Sequence, residues 1–140
     1  MKKRIALISS VLVIVLACAV LFAACAPASD PQKARDNLED KGYSVILDSS
    51  IQPAALTLIG VKGVDTVLEA SYSKDDQSEY LCVLYFDSSK KMKEAWEKAK
   101  EYAEDEGKDN KEKDDDSDWV VGKSGKMIWY GTKNAVKASR

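Results

Sequence analysis

The three cysteines, Cys18, Cys25 and Cys82, are the residues best suited to covalent chemistry, because a thiolate is a strong nucleophile. The chain has no histidine, so the usual general base and the commonest metal ligand are both missing. Cys82 lies within the apolar run Tyr80–Phe86, a setting typical of a buried and inert thiol. We therefore expect a protein that is not an enzyme and that uses no metal or other cofactor.

The segment that ends at Cys25 has the three parts of an export signal: a basic start, an apolar run and small residues before a cleavage point. The basic start is Lys2–Arg4, the apolar run begins at Ile5, and Ala23 and Ala24 precede Cys25. This pattern, which closes on Leu-Phe-Ala-Ala-Cys, resembles the signal peptide of bacterial lipoproteins. The resemblance implies cleavage between Ala24 and Cys25 and a diacylglyceryl group on the Cys25 thiol. It also implies a lipid anchor at the extracytoplasmic face of the cell membrane.

Two alternatives to this anchor stay open. The first alternative is cleavage and lipidation at Cys18, since the stretch Val15–Cys18 also has a small residue before a cysteine. Further apolar residues follow Cys18, however, whereas the residues after Cys25 lead into a polar segment. In the Cys25 frame, Phe22 stands where lipoproteins usually have leucine. The run Ile5–Ala24 also has about the 20 residues that span a bilayer core, so an uncleaved transmembrane helix is the second alternative.

The remaining chain is acidic and has the length of one domain. Cleavage would remove Lys2–Arg4 from the 21 basic residues and none of the 23 acidic ones, which argues against nucleic acid as a partner. Residues 25–30 would be the lipidated N-terminus and a short tether, and residues 31–140 one domain with a single core. With Cys18 removed and Cys25 lipidated, Cys82 has no disulfide partner, so packing must stabilise the fold.

Two stretches imitate functional motifs. Gly122-Lys123-Ser124 matches the end of a phosphate-binding loop, but Ser117 occupies the position of its first glycine. Asp114, Asp116 and Asp118 have the spacing that opens a calcium-binding EF-hand loop, but Trp119 and Gly125 replace its glycine and its bidentate glutamate. Nucleotide binding is thus not expected. A solvated acidic segment is the better interpretation of the aspartates, with a weak calcium contact as the alternative.

Capping residues, apolar spacing and turn residues predict the elements. The helices expected are one from Asp30-Pro31 to Gly42, one over Ser89–Glu106 and one from Thr132 to Ala138, with either a short helix or an extended segment over 52–58. The predicted strands are Tyr43–Leu47, Val64–Ser73, Glu79–Phe86, Trp119–Val121 and Lys126–Tyr130. Because both faces of Glu79–Phe86 are apolar, that strand should be central. Lys74–Ser78 is expected to be a longer hairpin loop, and Gly122–Gly125 a turn.

Charge is unevenly distributed toward the C-terminus. In the stretch 105–118 acidic residues outnumber lysines, and no residue has an apolar side chain. This composition predicts a mobile acidic loop. From Trp119 to Arg140 every charged residue is basic. Either the two segments neutralise each other on the folded surface, or Lys133, Lys137 and Arg140 face an anionic membrane or wall polymer.

Adjacent strands favour an antiparallel sheet of four or five strands with helices packed on one face, an α+β fold. The aromatic residues Trp96, Trp119, Trp129 and Tyr130 are expected in its core, not on a sugar-binding surface. The whole pattern is similar to small lipoproteins of Gram-positive bacteria, and we expect a non-enzymatic binding or accessory module. The alternative is an inhibitor of a secreted hydrolase, which would insert Lys74–Ser78 or the stretch 105–118 into its target.

Overall fold

The computed structural model describes residues 26–49, 56–57, 59–113 and 118–140. Leu56 and Thr57 are helical and are followed by a turn in which Gly60 has a φ of 83°, so the predicted stop at Gly60 is confirmed. The other residues of the segment 52–58 lie outside the described residues. The longer elements in chain order are α1 Pro31–Glu39, β1 Ser44–Asp48, β2 Val64–Lys74, β3 Gln77–Phe86, α2 Ser89–Lys113, β4 Trp119–Ser124, β5 Met127–Thr132 and α3 Lys133–Ala138.

The strands form one antiparallel sheet in the order β1-β2-β3-β5-β4. This confirms the α+β class, and it confirms that the apolar strand β3 is central. Strand β3 pairs with a neighbour on each edge and is apolar on both faces: Leu81, Val83 and Tyr85 point to one side and Cys82, Leu84 and Phe86 to the other.

Helices cover both faces of the sheet, not one face as expected. On the first face, which carries Leu81, Val83 and Tyr85, helix α1 packs through Ala34 and Leu38, and helix α3 packs through Ala135 and Val136. On the second face, α2 packs through Met92, Ala95, Ala99 and Ala103. The reason lies in β3 and β5, whose continuous apolar sequences expose a hydrophobic surface on each side that a single helical layer would leave half uncovered.

Both hairpins close with tighter turns than predicted. Lys74 pairs with Gln77, so the expected loop Lys74–Ser78 is a two-residue turn in which Asp75 has a φ of 54°. Ser124 pairs with Met127 around Gly125-Lys126, so the expected turn Gly122–Gly125 mostly belongs to strand β4. Aspartate tolerates positive φ better than most residues, and glycine adopts it freely. Both segments are polar, so the sequence predicted loops where the strands in fact continue to pair up to the turn.

Helix α2 is longer than expected and occupies most of the predicted acidic loop. It continues past Glu106 to Lys113, while residues 114–117 lie outside the described chain. The buried small residues Ala99, Ala103 and Gly107 recur every four positions, so the apolar stripe extends one turn further than the large side chains indicate. The indole of Trp119 covers Gly107, and its Nε1 donates a hydrogen bond to the carbonyl oxygen of Ala103 at 2.9 Å. This contact with β4 stabilises the last turns of a polar helix.

Candidate anchoring site

Most of the residues between Cys25 and Asp30 pack onto the domain. Ala26 is only 9% exposed and belongs to the core on the face covered by α1 and α3, and Pro27 is also buried. Within the expected tether of residues 25–30, Ala28 is half-buried and Ser29 is exposed, so the part that differs from a solvated tether is Ala26–Ala28. Small apolar residues with no charge before Asp30 make this burial favourable, because they hide nonpolar surface at little cost in side-chain entropy.

Two hydrogen bonds hold this segment in place. The backbone N–H of Ala28 donates to the carbonyl oxygen of Ser139 at 3.4 Å. The hydroxyl of Tyr85 donates to the carbonyl oxygen of Ala28 at 3.1 Å, and burial followed by the nearby Asp30 charge raises the pKa of Tyr85. Ser139 is itself buried, and its hydroxyl donates to the carbonyl oxygen of Val136 at 2.6 Å. The segment is thus tied to the central strand and to the end of α3.

Helix α1 begins directly after this segment, as the sequence predicts. The side chain of Asp30 accepts hydrogen bonds from the backbone N–H groups of Gln32 at 2.8 Å and Lys33 at 3.2 Å, and Pro31 occupies the first helical position. These bonds satisfy two of the N–H groups that a helix leaves unpaired at its start. The cap fixes the direction in which the chain enters the domain.

An open depression of about 330 Å³ lies beside the segment, lined by Ala26–Asp30, Lys33 and Arg140. Lys33 and Arg140 make no ion pair with any described residue. The ion pairs among the described residues are Arg35–Glu39, Lys91–Asp87, Lys100–Glu104 and Lys108–Asp105. All four pairs are local, so the described acidic residues of the stretch 105–118 do not neutralise the C-terminal cations through ion pairs. The depression therefore combines two unpaired cationic side chains with the place where the domain begins.

The residues predicted to be modified lie at the border of the described chain. Cys25, Ala24 and Cys18 are outside the described residues, as is the run Ile5–Ala24. Among the helices that the structure does describe, none is both long and apolar enough to cross a membrane. What the structure adds is the position of Ala26, which follows the expected cleavage site by one peptide bond.

Cys82 is buried, as predicted, and is the free cysteine of the described chain. Burial raises the pKa of its thiol to about 12, a change that hydrogen bonds with Tyr130 and Tyr80 oppose and the charge of Glu69 reinforces. Tyr80, Tyr102, Trp119 and Tyr130 form a cluster of ring contacts around this thiol, with centroid distances of 6.0–6.4 Å. A thiol that is protonated and covered by rings cannot act as a nucleophile at neutral pH.

The other aromatic and motif predictions can be placed as well. Trp129 and Tyr130 are buried, and Trp96 and Trp119 pack against the core beneath α2, with the Lys123 ammonium 4.7 Å from the Trp96 ring centroid. Gly122-Lys123-Ser124 pairs with β5 as part of a strand, which is not the loop that binds phosphate. Asp114 and Asp116 lie outside the described residues, and no group of metal-ligating side chains occurs within them.

Sequence reasoning missed the packing of Ala26 and Pro27, and it missed the role of Tyr85 and Ser139 in holding them. The available signal was the lack of charged or flexible polar residues between Cys25 and Ser29. Comparisons with protein family models, with curated proteins and with solved structures gave no match to this chain. The function of the chain must therefore be inferred from its own residues.

Proposed function

We propose that this chain is a lipoprotein that Cys25 anchors, through a diacylglyceryl group, to the extracytoplasmic face of the cell membrane. The observation that carries the proposal is the signal-like segment that ends at Ala24-Cys25. The structure adds that Ala26, the residue after Cys25, belongs to the core of the described fold. Two acyl chains on one cysteine give the two signals that stable membrane attachment needs.

The domain itself is, in this proposal, a non-enzymatic binding or accessory module of the cell envelope. Its described thiol, Cys82, is withheld from chemistry by burial, and the sequence contains no histidine to act as a general base. The membrane is a partner through the lipid. The acidic excess of the chain supports the absence of nucleic acid among its partners.

Metabolic labelling with an alkyne analogue of palmitate tests the anchor in an expressing bacterium. We compare the wild-type protein with the Cys25→Ala and Cys18→Ala variants, which remove one thiol each and are otherwise matched. The label should appear in the wild type and in Cys18→Ala and should be lost in Cys25→Ala. Protease added to intact protoplasts should digest the domain if it lies on the extracytoplasmic face.

Other outcomes would contradict the proposal in distinct ways. Label lost in Cys18→Ala and retained in Cys25→Ala would assign the lipid to the other frame. A wild-type protein that carries no label and stays in the membrane fraction would indicate the uncleaved transmembrane helix. Protection of the domain from external protease in intact protoplasts, with digestion after lysis, would place it on the cytoplasmic side.

A further inference from the structure

The strand register shows which end of the domain faces the anchor. Tyr85, which binds Ala28, pairs near the start of β2, whereas the turn at Lys74–Gln77 lies at the opposite end of β3. Eight residues separate Gln77 from Tyr85, and a strand rises about 3.4 Å per residue, so the two ends are about 27 Å apart. We call the surface around Ala26 and Ala28 the anchor end. Helix α3 starts beside Tyr80, nearer the other end of β3, and reaches the anchor end through Ser139, whose carbonyl oxygen accepts the hydrogen bond of the Ala28 N–H.

Basic side chains are exposed at the anchor end. Lys33 and Arg140 line the depression beside Ala26, and Lys137 is exposed on the last turn of α3, two residues before Ser139. We define Lys33, Lys137 and Arg140 as the anchor-end surface. Lys41 is close by, but its ammonium donates to the carbonyl oxygen of Ala138 at 2.8 Å and is already occupied.

Three carboxylates, that of Asp30 in the depression and two at the Tyr85 end of the sheet, have partners of their own. Asp30, which lines the depression, accepts two backbone hydrogen bonds as the cap of α1. At the end of β3, Asp87 pairs with Lys91. At the start of β2, the carboxylate of Asp65 accepts a hydrogen bond from the hydroxyl of Thr66 at 3.2 Å. These hydrogen bonds leave the charge of each carboxylate in place, so the depression sets the two cations of Lys33 and Arg140 against the one carboxylate of Asp30, a formal excess of one positive charge.

We infer that the anchor-end surface binds the anionic phospholipid headgroups around the anchor, with the depression between Lys33 and Arg140 as the site for a headgroup phosphate. This inference rests on the proposed function, because an acylated Cys25 would hold Ala26 within a few ångströms of the bilayer surface. The packing of Ala26 and Ala28 limits how far the domain can rotate away. The lipid thus presents this surface to the headgroups, and the headgroups fix the orientation of the domain.

The charges are sufficient for a measurable effect. A basic residue close to an anionic membrane strengthens binding by about fivefold, so three such residues together contribute about a hundredfold. Salt should weaken this contribution, because the Debye length falls from about 10 Å at 0.1 M to about 3 Å at 1 M. Acyl-chain insertion depends on apolar burial and should resist the same salt.

The test uses the full protein purified from membranes and reconstituted in vesicles of phosphatidylcholine, with and without phosphatidylglycerol. An amine-acylating reagent measures the labelling rate of each lysine by peptide mass spectrometry. Lys33 and Lys137 should be labelled several-fold more slowly on vesicles that contain phosphatidylglycerol, and 1 M salt should remove this protection. Lys74 and Lys111, at the far end of the domain, should be labelled equally on both kinds of vesicle.

Two triple variants separate local binding from net charge. In Lys33→Gln/Lys137→Gln/Arg140→Gln, the backbone amides of Ala28 and Ser139, which are hydrogen-bonded at the anchor end, should lose their extra hydrogen-exchange protection on anionic vesicles. The variant Lys74→Gln/Lys111→Gln/Lys113→Gln removes the same charge from the far end and should retain that protection. Equal melting temperatures of the two variants would show that both are folded.

The outcomes distinguish this inference from the proposal on which it rests. Flotation with phosphatidylcholine vesicles reports the anchor alone. Flotation combined with equal labelling of Lys33 and Lys137 on both kinds of vesicle would overturn the inference and leave the anchor intact. Failure to float would contradict the anchor and the inference together. The labelling of Lys33 and Lys137 is also measured with soluble poly(glycerol phosphate). If this polymer slowed labelling as much as anionic vesicles do, the surface would be assigned to a wall polymer and the membrane assignment would be overturned.

Discussion

The hydroxyl of Tyr85 donates a hydrogen bond to the carbonyl oxygen of Ala28 at a distance of 3.1 Å. This bond joins the central strand of the sheet to the segment that directly follows the expected lipidation site. Ala26, the residue after Cys25, is buried against the same core. In the proposed lipoprotein, anchoring and domain orientation would be connected through a small number of contacts that mutation can test.

Replacing Tyr85 by phenylalanine should loosen the start of the domain. The variant keeps the buried ring but leaves the Ala28 carbonyl oxygen without this donor, which should lower the free energy of unfolding by about 0.5–1.5 kcal/mol. Amide hydrogen exchange near Ala28 should become faster, whereas exchange in β3 should change little. Denaturant titration and hydrogen-exchange mass spectrometry measure the two effects.

The matched control for this prediction is Tyr72→Phe. Tyr72 is partly buried and its ring contacts that of Tyr43 in a tilted arrangement at a centroid distance of 5.3 Å, but no hydrogen bond of its hydroxyl is found among the described residues. Its substitution should leave exchange at Ala28 unchanged. If Tyr72→Phe and Tyr85→Phe had the same effect on that amide, the Tyr85 hydroxyl would not be holding the segment.

Gly107→Ala should destabilise the protein although alanine favours helices. A Cβ atom at this position would lie 2.8 Å from Nε1 of Trp119 and closer still to its Cδ1. Such overpacking costs about 1–3 kcal/mol, more than the gain of about 1 kcal/mol in helix propensity. In a Trp119→Ala background the ring is gone, so the same substitution should become stabilising. Thermal unfolding of the wild type, the two single variants and the double variant tests whether the effect of Gly107→Ala on stability reverses in sign.

Cys82 should resist thiol reagents in the folded protein and should lower stability at high pH. Its pKa is raised from 9.0 to about 12, so the unfolded thiol ionises first and the unfolded state is favoured between these values. Stability is fully present below pH 9.0, and it falls by up to about 1.4 kcal/mol per pH unit as pH rises toward about 12. The Cys82→Ala variant should show a shallower decline between pH 9 and 10, where the tyrosines contribute least. Equal slopes would contradict burial as the cause.

The edge strand β1 offers a test of which face is buried. Ile46 is 66% exposed, whereas its neighbour Leu47 packs against the core on the opposite side of the strand. Ile46→Lys should change the free energy of unfolding by less than about 0.5 kcal/mol and should oppose edge-to-edge association. Leu47→Lys should destabilise by well over 1 kcal/mol, because it brings a charge toward apolar surface. A comparable loss in both variants would indicate that β1 is covered on both faces.

Local signals in the sequence were enough to predict much of this fold. Asp30 and Pro31 mark a helix start because capping and a fixed φ act within one turn, and the structure confirms both. The continuous apolar strand that ends at Phe86 was expected to be central, because apolar residues on both faces are typical of a strand in the interior of a sheet, and β3 does have a neighbour on each edge. Thr132 precedes α3 as expected, but its hydroxyl bonds the backbone of Tyr80 and makes no cap.

The features that sequence reasoning missed depend on contacts between distant residues. Gly107 reads as a helix breaker unless the indole of Trp119 is known to lie on it. The burial of Ala26 requires Tyr85 and the end of α3 to be in place, and neither is close to it in sequence. Polar residues around Asp75 looked like a loop because strand pairing there is set by register, not by hydrophobicity.

Intact mass spectrometry of the protein from membranes of an expressing bacterium tests the central claim most directly. The account predicts a mass that begins at Cys25 and includes a diacylglyceryl group, with this species absent in the Cys25→Ala variant. Lipidation at this position would place the acyl chains one residue from the buried Ala26. A full-length mass without lipid would contradict the account, because the run Ile5–Ala24 would then be retained and Cys25 would be a free thiol.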